Sequence, residues 1–173
     1  MKIAICGKMC SGKTTLANTI MRMDPRYKRY SFGQKIKDLA TELFNMEEKD
    51  RTLLTTLATS MRDIQSDVWI QYLLQNIKDK DFCIIDDVRY QDEIDALLQD
   101  QWIIIQLNIS TSLQETRIKR LYPNNFQDHL QNRNHISELN QIKYPEGYPH
   151  YTFDMDTLSS EKLNHEIYLL LQT

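Results

Sequence analysis

Apolar residues fall into two kinds of stretch along this chain: short unbroken aliphatic runs, and longer segments where they recur every three or four positions. The first run, Lys2–Cys6, is apolar at nearly every position, as expected of a parallel strand covered on both faces. A helix opens at Lys13, carries Leu16, Ile20 and Met23 on one face, and ends at Asp24-Pro25. Tyr27–Phe32 reads as a second strand. Ile36, Leu39, Ala40, Leu43 and Phe44 then follow helical spacing. After the charged break Asn45–Asp50 comes a helix with Leu54, Leu57, Ala58 and Met61 in register. Asp67 is placed to cap another, with Ile70, Leu73, Leu74 and Ile77 as its face. Phe82–Ile85 is a third strand closed by Asp86-Asp87-Val88-Arg89. Asp92–Leu98 is a short helix, Trp102–Leu107 a fourth strand and Tyr151–Met155 a fifth. Ser159 opens a last helix with Leu163, Ile167, Leu170 and Leu171 inward.

Strands alternating with helices predict an α/β fold: a parallel five-stranded sheet flanked by helices, in a single domain over residues 1–173. Three helical segments between the second and third strands exceed a minimal crossover. Residues 34–79 therefore read as a helical acceptor-binding insertion. The stretch 110–140 is poor in apolar residues, basic, and broken at Pro123-Asn124-Asn125, which suits a lid. In such sheets ligands sit at the carboxyl ends of the strands. That rule brings together the loop after strand one, Ser31-Phe32-Gly33, and Asp86–Arg89.

Composition narrows the partners. The 173 residues carry a net charge of −3, so no global basic field argues for nucleic acid or a membrane surface. The three cysteines (Cys6, Cys10, Cys83) show no paired spacing, and no apolar run approaches the roughly 18 residues of a membrane span. A cytoplasmic protein with reduced thiols is the expectation. His129, His135, His150 and His165 make no metal spacing with the cysteines.

The strongest chemical signal is Gly7-Lys8-Met9-Cys10-Ser11-Gly12-Lys13-Thr14. It matches G-x-x-x-x-G-K-T, the phosphate-binding loop, with a strand before it and a helix after it. Of the four glycines in the chain, two occupy the motif's fixed positions. Backbone N–H groups of such a loop converge on an anion, and glycine lets the backbone turn tightly and approach it. Gly7, Met9, Cys10, Ser11, Gly12, Lys13, Thr14 and Thr15 are therefore the candidate ATP contacts. Lys13 would meet the β- and γ-phosphates, and the Thr14 hydroxyl would ligate Mg²⁺.

Asp86 and Asp87 end an apolar strand, where an acid can hold Mg²⁺ or its water, or contact the acceptor. We place Asp86 with Thr14 at the metal position. Arg89 follows two residues on and can hold a phosphate bidentately. Lys35 and Arg62, on polar helix faces near the crevice, are further substrate candidates; Lys37 reads as plain surface. Phe32, Trp69 and Tyr72 are aromatics that could stack on a base, although Trp69 suits a core equally well. Arg117 and Arg120 lie three apart on a helical segment, with Arg133 beyond. From a lid they would neutralise charge on the transferred phosphoryl, Arg117 also contacting the nucleotide.

The order of these motifs resembles the deoxynucleoside monophosphate kinases of large DNA viruses and tailed phages. The resemblance rests on the phosphate loop, Ser31–Lys37, Asp67-Val68-Trp69-Ile70, and Ile84–Glu93 with Asp87-Val88-Arg89-Tyr90. His135-Ile136-Ser137-Glu138 is similar to a feature of that group and of the related animal phosphomevalonate kinases. It covers residues 1 to about 140. The resemblance implies ATP as donor, Mg²⁺ and a (deoxy)nucleoside monophosphate as acceptor, and it is compatible with a homodimer. It also implies Asp87 as the family's acid, Arg89 on phosphate and Arg62 on the acceptor. One position departs: the family often has proline after the aromatic, and here Gln91 stands.

Overall fold

The computed structural model describes residues 1–132, 142–148 and 150–172. In chain order the elements are β1 (Lys2–Gly7), α1 (Lys13–Met23), β2 (Lys28–Tyr30), α2 (Gln34–Phe44), α3 (Arg51–Ile64), α4 (Val68–Ile77), β3 (Cys83–Val88), α5 (Gln91–Gln99), β4 (Ile103–Asn108), α6 (Thr111–Leu121), α7 (Phe126–Asn132), β5 (His150–Asp154) and α8 (Ser160–Leu170). All strand pairings are parallel, in the order β2-β3-β1-β4-β5. The expected five-stranded parallel sheet with helices on both faces is the observed architecture.

Each central strand is buried on both sides, which explains the unbroken aliphatic runs. Ile3, Ile5, Ile84 and Ile105 pack with Leu16, Ala17 and Ile20 of α1 and Leu163, Ile167 and Leu170 of α8. Ala4, Cys6, Ile85 and Ile104 form the opposite core with Ile70, Leu73 and Ile77 of α4 and Ile94, Leu97 and Leu98 of α5. Ser159 caps α8, its hydroxyl accepting from Lys162 N at 3.2 Å. Among the described residues no helix is long and apolar enough to cross a membrane.

Four local expectations change. Strand β2 holds only three residues, because Ser31-Phe32-Gly33 leaves the ladder to hydrogen-bond a carboxylate of β3. Strand β3 runs past Ile85 through both aspartates to Val88. It does so with a register shift on β1 between Ala4 and Cys6. Asp67 precedes α4 without capping it; its carboxylate accepts from the Gln65 and Gln71 amides instead. The insertion helices α2 and α3 pack on each other and stand away from the sheet cores. Only Ala40 is buried in α2 and nothing in α3, leaving Leu43, Phe44 and Ile64 exposed.

Candidate active site

The phosphate loop connects β1 to α1 in a shape that its glycines make possible. Gly7 sits at φ 144°, and a Cβ there would lie 2.5 Å from the Leu107 carbonyl. Gly12, at φ 108°, precedes α1 and supplies no side-chain acceptor to the helix's first N–H groups. Those donors, with the positive end of the helix, suit a phosphate. Lys13 Nζ donates to the Gly7 and Lys8 carbonyls at 2.6 and 2.8 Å, curling its charge over the loop. Ser11 Oγ is buried and makes no hydrogen bond.

Helix α6 braces this loop. Gln114 Nε2 donates to the Met9 carbonyl at 3.0 Å. Arg117 Nη1 donates to the carbonyls of Cys10 and Ser11 at 3.1 and 3.2 Å. The first half of the stretch expected to be a lid is thus docked on the loop, with Arg117 beside the nucleotide position. Arg120 is exposed in the last turn of α6. Arg133 and the 135–138 motif lie outside the described residues.

The two aspartates part company because successive strand residues point to opposite faces. Asp86 is buried and turns toward α1: Thr14 Oγ1 donates to Oδ2 at 2.9 Å and Arg29 Nε to Oδ1 at 2.8 Å. A hydroxyl beside a carboxylate is a donor set that fits Mg²⁺. Asp87 faces the other way. Its Oδ2 accepts from Ser31 Oγ at 2.6 Å and Gly33 N at 2.9 Å, and its Oδ1 from Phe32 N at 3.0 Å. Asp87 therefore shapes the entry to α2.

Beyond β3, Glu93 caps α5. Its Oε2 accepts from Arg89 N at 2.7 Å and Tyr90 N at 3.1 Å. Its Oε1 faces Arg62 Nη2 at 3.7 Å, while the Arg62 guanidinium lies 4.7 Å from the centre of the Tyr90 ring. Burial pushes the Glu93 carboxyl up to about 7, against the pull of those two backbone donors. Burial also holds the Lys49 ammonium below its usual range, and nearby Arg51, Lys37 and Arg89 push it the same way. Cations from α2 (Lys37), the α2–α3 connection (Lys49), α3 (Arg51) and the turn after β3 (Arg89) thus lie within electrostatic reach of one another around Lys49. Arg51 also meets His129 of α7 at 3.1 Å.

Two further substrate candidates make other contacts. Trp69 is buried and its indole N–H donates to the Ala58 carbonyl at 3.1 Å, so it ties α4 to α3 as a core residue. Lys35 lies 5.8 Å from the ring centre of Tyr72, in a groove of about 510 Å³ between α2 and α4. Lys37, read from sequence as plain surface, belongs to the cation group that Lys35 does not join. Lys49 and Arg51 form part of it without belonging to any motif. Their signal was there: they flank Asp50, whose carboxylate caps α3 by accepting from Leu53 N.

The profile of a family described as an AAA domain matches residues 3–141. No curated protein sequence matches the chain. Several solved structures share the fold. A sugar kinase from Janibacter sp. HTCC2649, unliganded, aligns with a TM-score of 0.58 at 14% identity over 99% of this chain and 94% of that one. Shikimate kinase from Bacteroides thetaiotaomicron aligns with a TM-score of 0.56 at 17% identity over 100% and 99%. A deoxyadenosine kinase from M. mycoides, with products dCMP and dCDP, gives 0.52 at 19% identity over 99% of each chain. The profile takes in the phosphate loop, both aspartates and the bracing helix α6, and the chain belongs to this AAA-domain family of P-loop proteins.

Proposed function

We propose that the chain transfers the γ-phosphoryl group of ATP to a (deoxy)nucleoside monophosphate, yielding a diphosphate and ADP. The observation that supports this reading is a set of cations, Lys37, Arg51 and Arg89, close enough to Lys49 to hold its ammonium below the usual range. A phosphate on the acceptor would suit such a set of cations, and Arg89 can hold it bidentately.

The roles then follow from placement. The loop N–H groups and the N-terminus of α1 hold the donor phosphates. Lys13 leaves the Gly7 and Lys8 carbonyls to meet the transferred group. Thr14 and Asp86 would hold Mg²⁺, which would neutralise charge on the donor phosphates. Asp87 keeps Ser31–Gly33, and with them the start of α2, in place. The acceptor is already an oxyanion near neutral pH, so positioning and charge neutralisation suffice without a strong general base. Arg117 reaches the nucleotide from α6, and Arg120 and Arg133 are the further arginines that would close on it.

A panel of acceptors with ATP and Mg²⁺, read by separating the products, tests the reading. Diphosphate formation from at least one monophosphate is expected. Arg89→Ala or Lys37→Ala should raise KM for that acceptor about tenfold or more, with KM for ATP little changed. Turnover of shikimate, gluconate or free nucleosides in place of monophosphates would overturn it. A phosphorylated metabolite such as phosphomevalonate is a second reading. The burial of Trp69, which removes one base-stacking partner, favours it, so phosphomevalonate belongs in the panel.

A further inference from the structure

The phosphate loop and Asp86 account for most of the metal-side geometry, but not for Arg29. This residue sits in the middle of the short edge strand β2, paired with Ile84 of β3. Two residues further along β3, on the same face, comes Asp86. The Arg29 side chain runs along that face and places Nε 2.8 Å from Asp86 Oδ1. The other oxygen, Oδ2, takes the Thr14 hydroxyl at 2.9 Å. One carboxylate is thus held from two directions, by the sheet edge and by the phosphate-loop helix.

We infer that Arg29 is a positioning residue, which sets the orientation of the Asp86 carboxylate and so the metal dependence of nucleotide binding. The inference rests on the ATP-binding reading above. The pair differs from an ordinary surface ion pair in its exposure, since the Asp86 side chain is 1% exposed and that of Arg29 40%. A buried carboxylate oxygen with no donor is costly, and the group turns toward whatever donor it finds. With Arg29 on Oδ1, that rotation is blocked and Oδ2 stays on the side of Thr14. Without it, Asp86 is drawn out of line with Thr14, and the pair would hold a divalent cation less well. Partners that orient a metal-binding group typically matter about 10–100-fold in metal affinity.

Arg29 could instead act only as a competing positive charge. The two roles have opposite signs. A competing charge, once removed, strengthens cation binding; a positioning group, once removed, weakens it.

The test is calorimetric titration of ATP into the full chain, once with Mg²⁺ and once with EDTA. The quantity read is the ratio of the two affinities. For Arg29→Met this ratio should fall about tenfold, while the metal-free affinity stays within about twofold of wild type. Arg29→Lys keeps the charge but loses the guanidinium geometry, and its ratio should lie between the two. A wild-type or increased ratio in Arg29→Met overturns the inference. Should that variant not fold, as judged by thermal melting, a wild-type ratio in Arg29→Lys overturns it instead. Failure of the wild-type chain to bind ATP at all would refute the kinase reading, and this inference with it.

Discussion

Lys13 and Glu93 illustrate how single side chains here carry functions that burial and charge define. Lys13 is the one loop side chain whose ammonium already bends over the anion position, on the Gly7 and Lys8 carbonyls. Lys13→Ala is expected to lower kcat by about 10²-fold or more while leaving the melting temperature near wild type. Retention of full phosphoryl transfer would rule out the mechanism. Glu93 gives a pH signature. Its folded-state value of about 7 stands above the ordinary 4.5 of a glutamate, with Asp87 and Asp92 adding to the rise and Arg62 facing it. The folded state therefore binds this proton more tightly than the unfolded chain. The stability it contributes is complete below about pH 4.5 and is lost as pH rises through about 7. Glu93→Gln mimics the neutral form and should flatten that slope. Urea denaturation at pH 5 and pH 8 should show the variant gaining on wild type at the higher pH, and equal slopes would contradict the assignment.

At the scale of elements, Gln91 explains a departure from the resembling kinases. Where proline is common, Gln91 begins α5 and its side chain grips the main chain of Lys143. Nε2 donates to the Lys143 carbonyl and Oε1 accepts from Lys143 N, both at 2.9 Å. Tyr144 then reaches Gln106 Oε1 at 2.8 Å and stacks on His150. Residues 142–148 are thus fastened across the ends of α5 and β4. Gln91→Ala should cost about 1 kcal/mol, the range for two partly exposed hydrogen bonds, and speed hydrogen exchange at the Lys143 amide. Unchanged exchange there would mean that the segment is held by Tyr144 and Tyr148 alone. The insertion tells a complementary story: α2 and α3 have helical periodicity, yet their apolar faces are mostly uncovered. Periodicity announces a helix and one preferred face, but not what covers it.

For the whole molecule, the phosphate loop and the turn after β3 follow the carboxyl ends of adjacent strands, and ligands that bind only the folded chain must stabilise it. ATP with Mg²⁺ at about 100 times Kd should add about 2.7 kcal/mol, a rise of roughly 5–10 °C in Tm for a chain of this size. On the proposed reading, a monophosphate acceptor that meets the cations around Lys49 should raise it further on its own. No shift with any monophosphate would remove the main support for the acceptor side.

The sequence by itself determined the parts whose causes are local. Aliphatic runs mark strands buried on both faces, three- and four-residue spacing marks helices, and glycines at 7 and 12 mark backbone conformations that few other residues adopt. The phosphate loop and the fold class followed from those alone. Tertiary structure decided what depends on which face of an element meets which neighbour. Alternation along β3 guarantees that Asp86 and Asp87 point apart. Only the packing of α1 on one face and the Ser31–Gly33 turn on the other shows which one joins Thr14. Lys35 and Lys37 differ by two positions on one helix, which puts them on different sides: Lys35 lies by Tyr72, while Lys37 is near enough to act on Lys49. Trp69 became core, Arg117 became a brace, and Arg29 reached Asp86 across 57 positions of sequence, because contacts between distant segments leave no periodic trace in the chain.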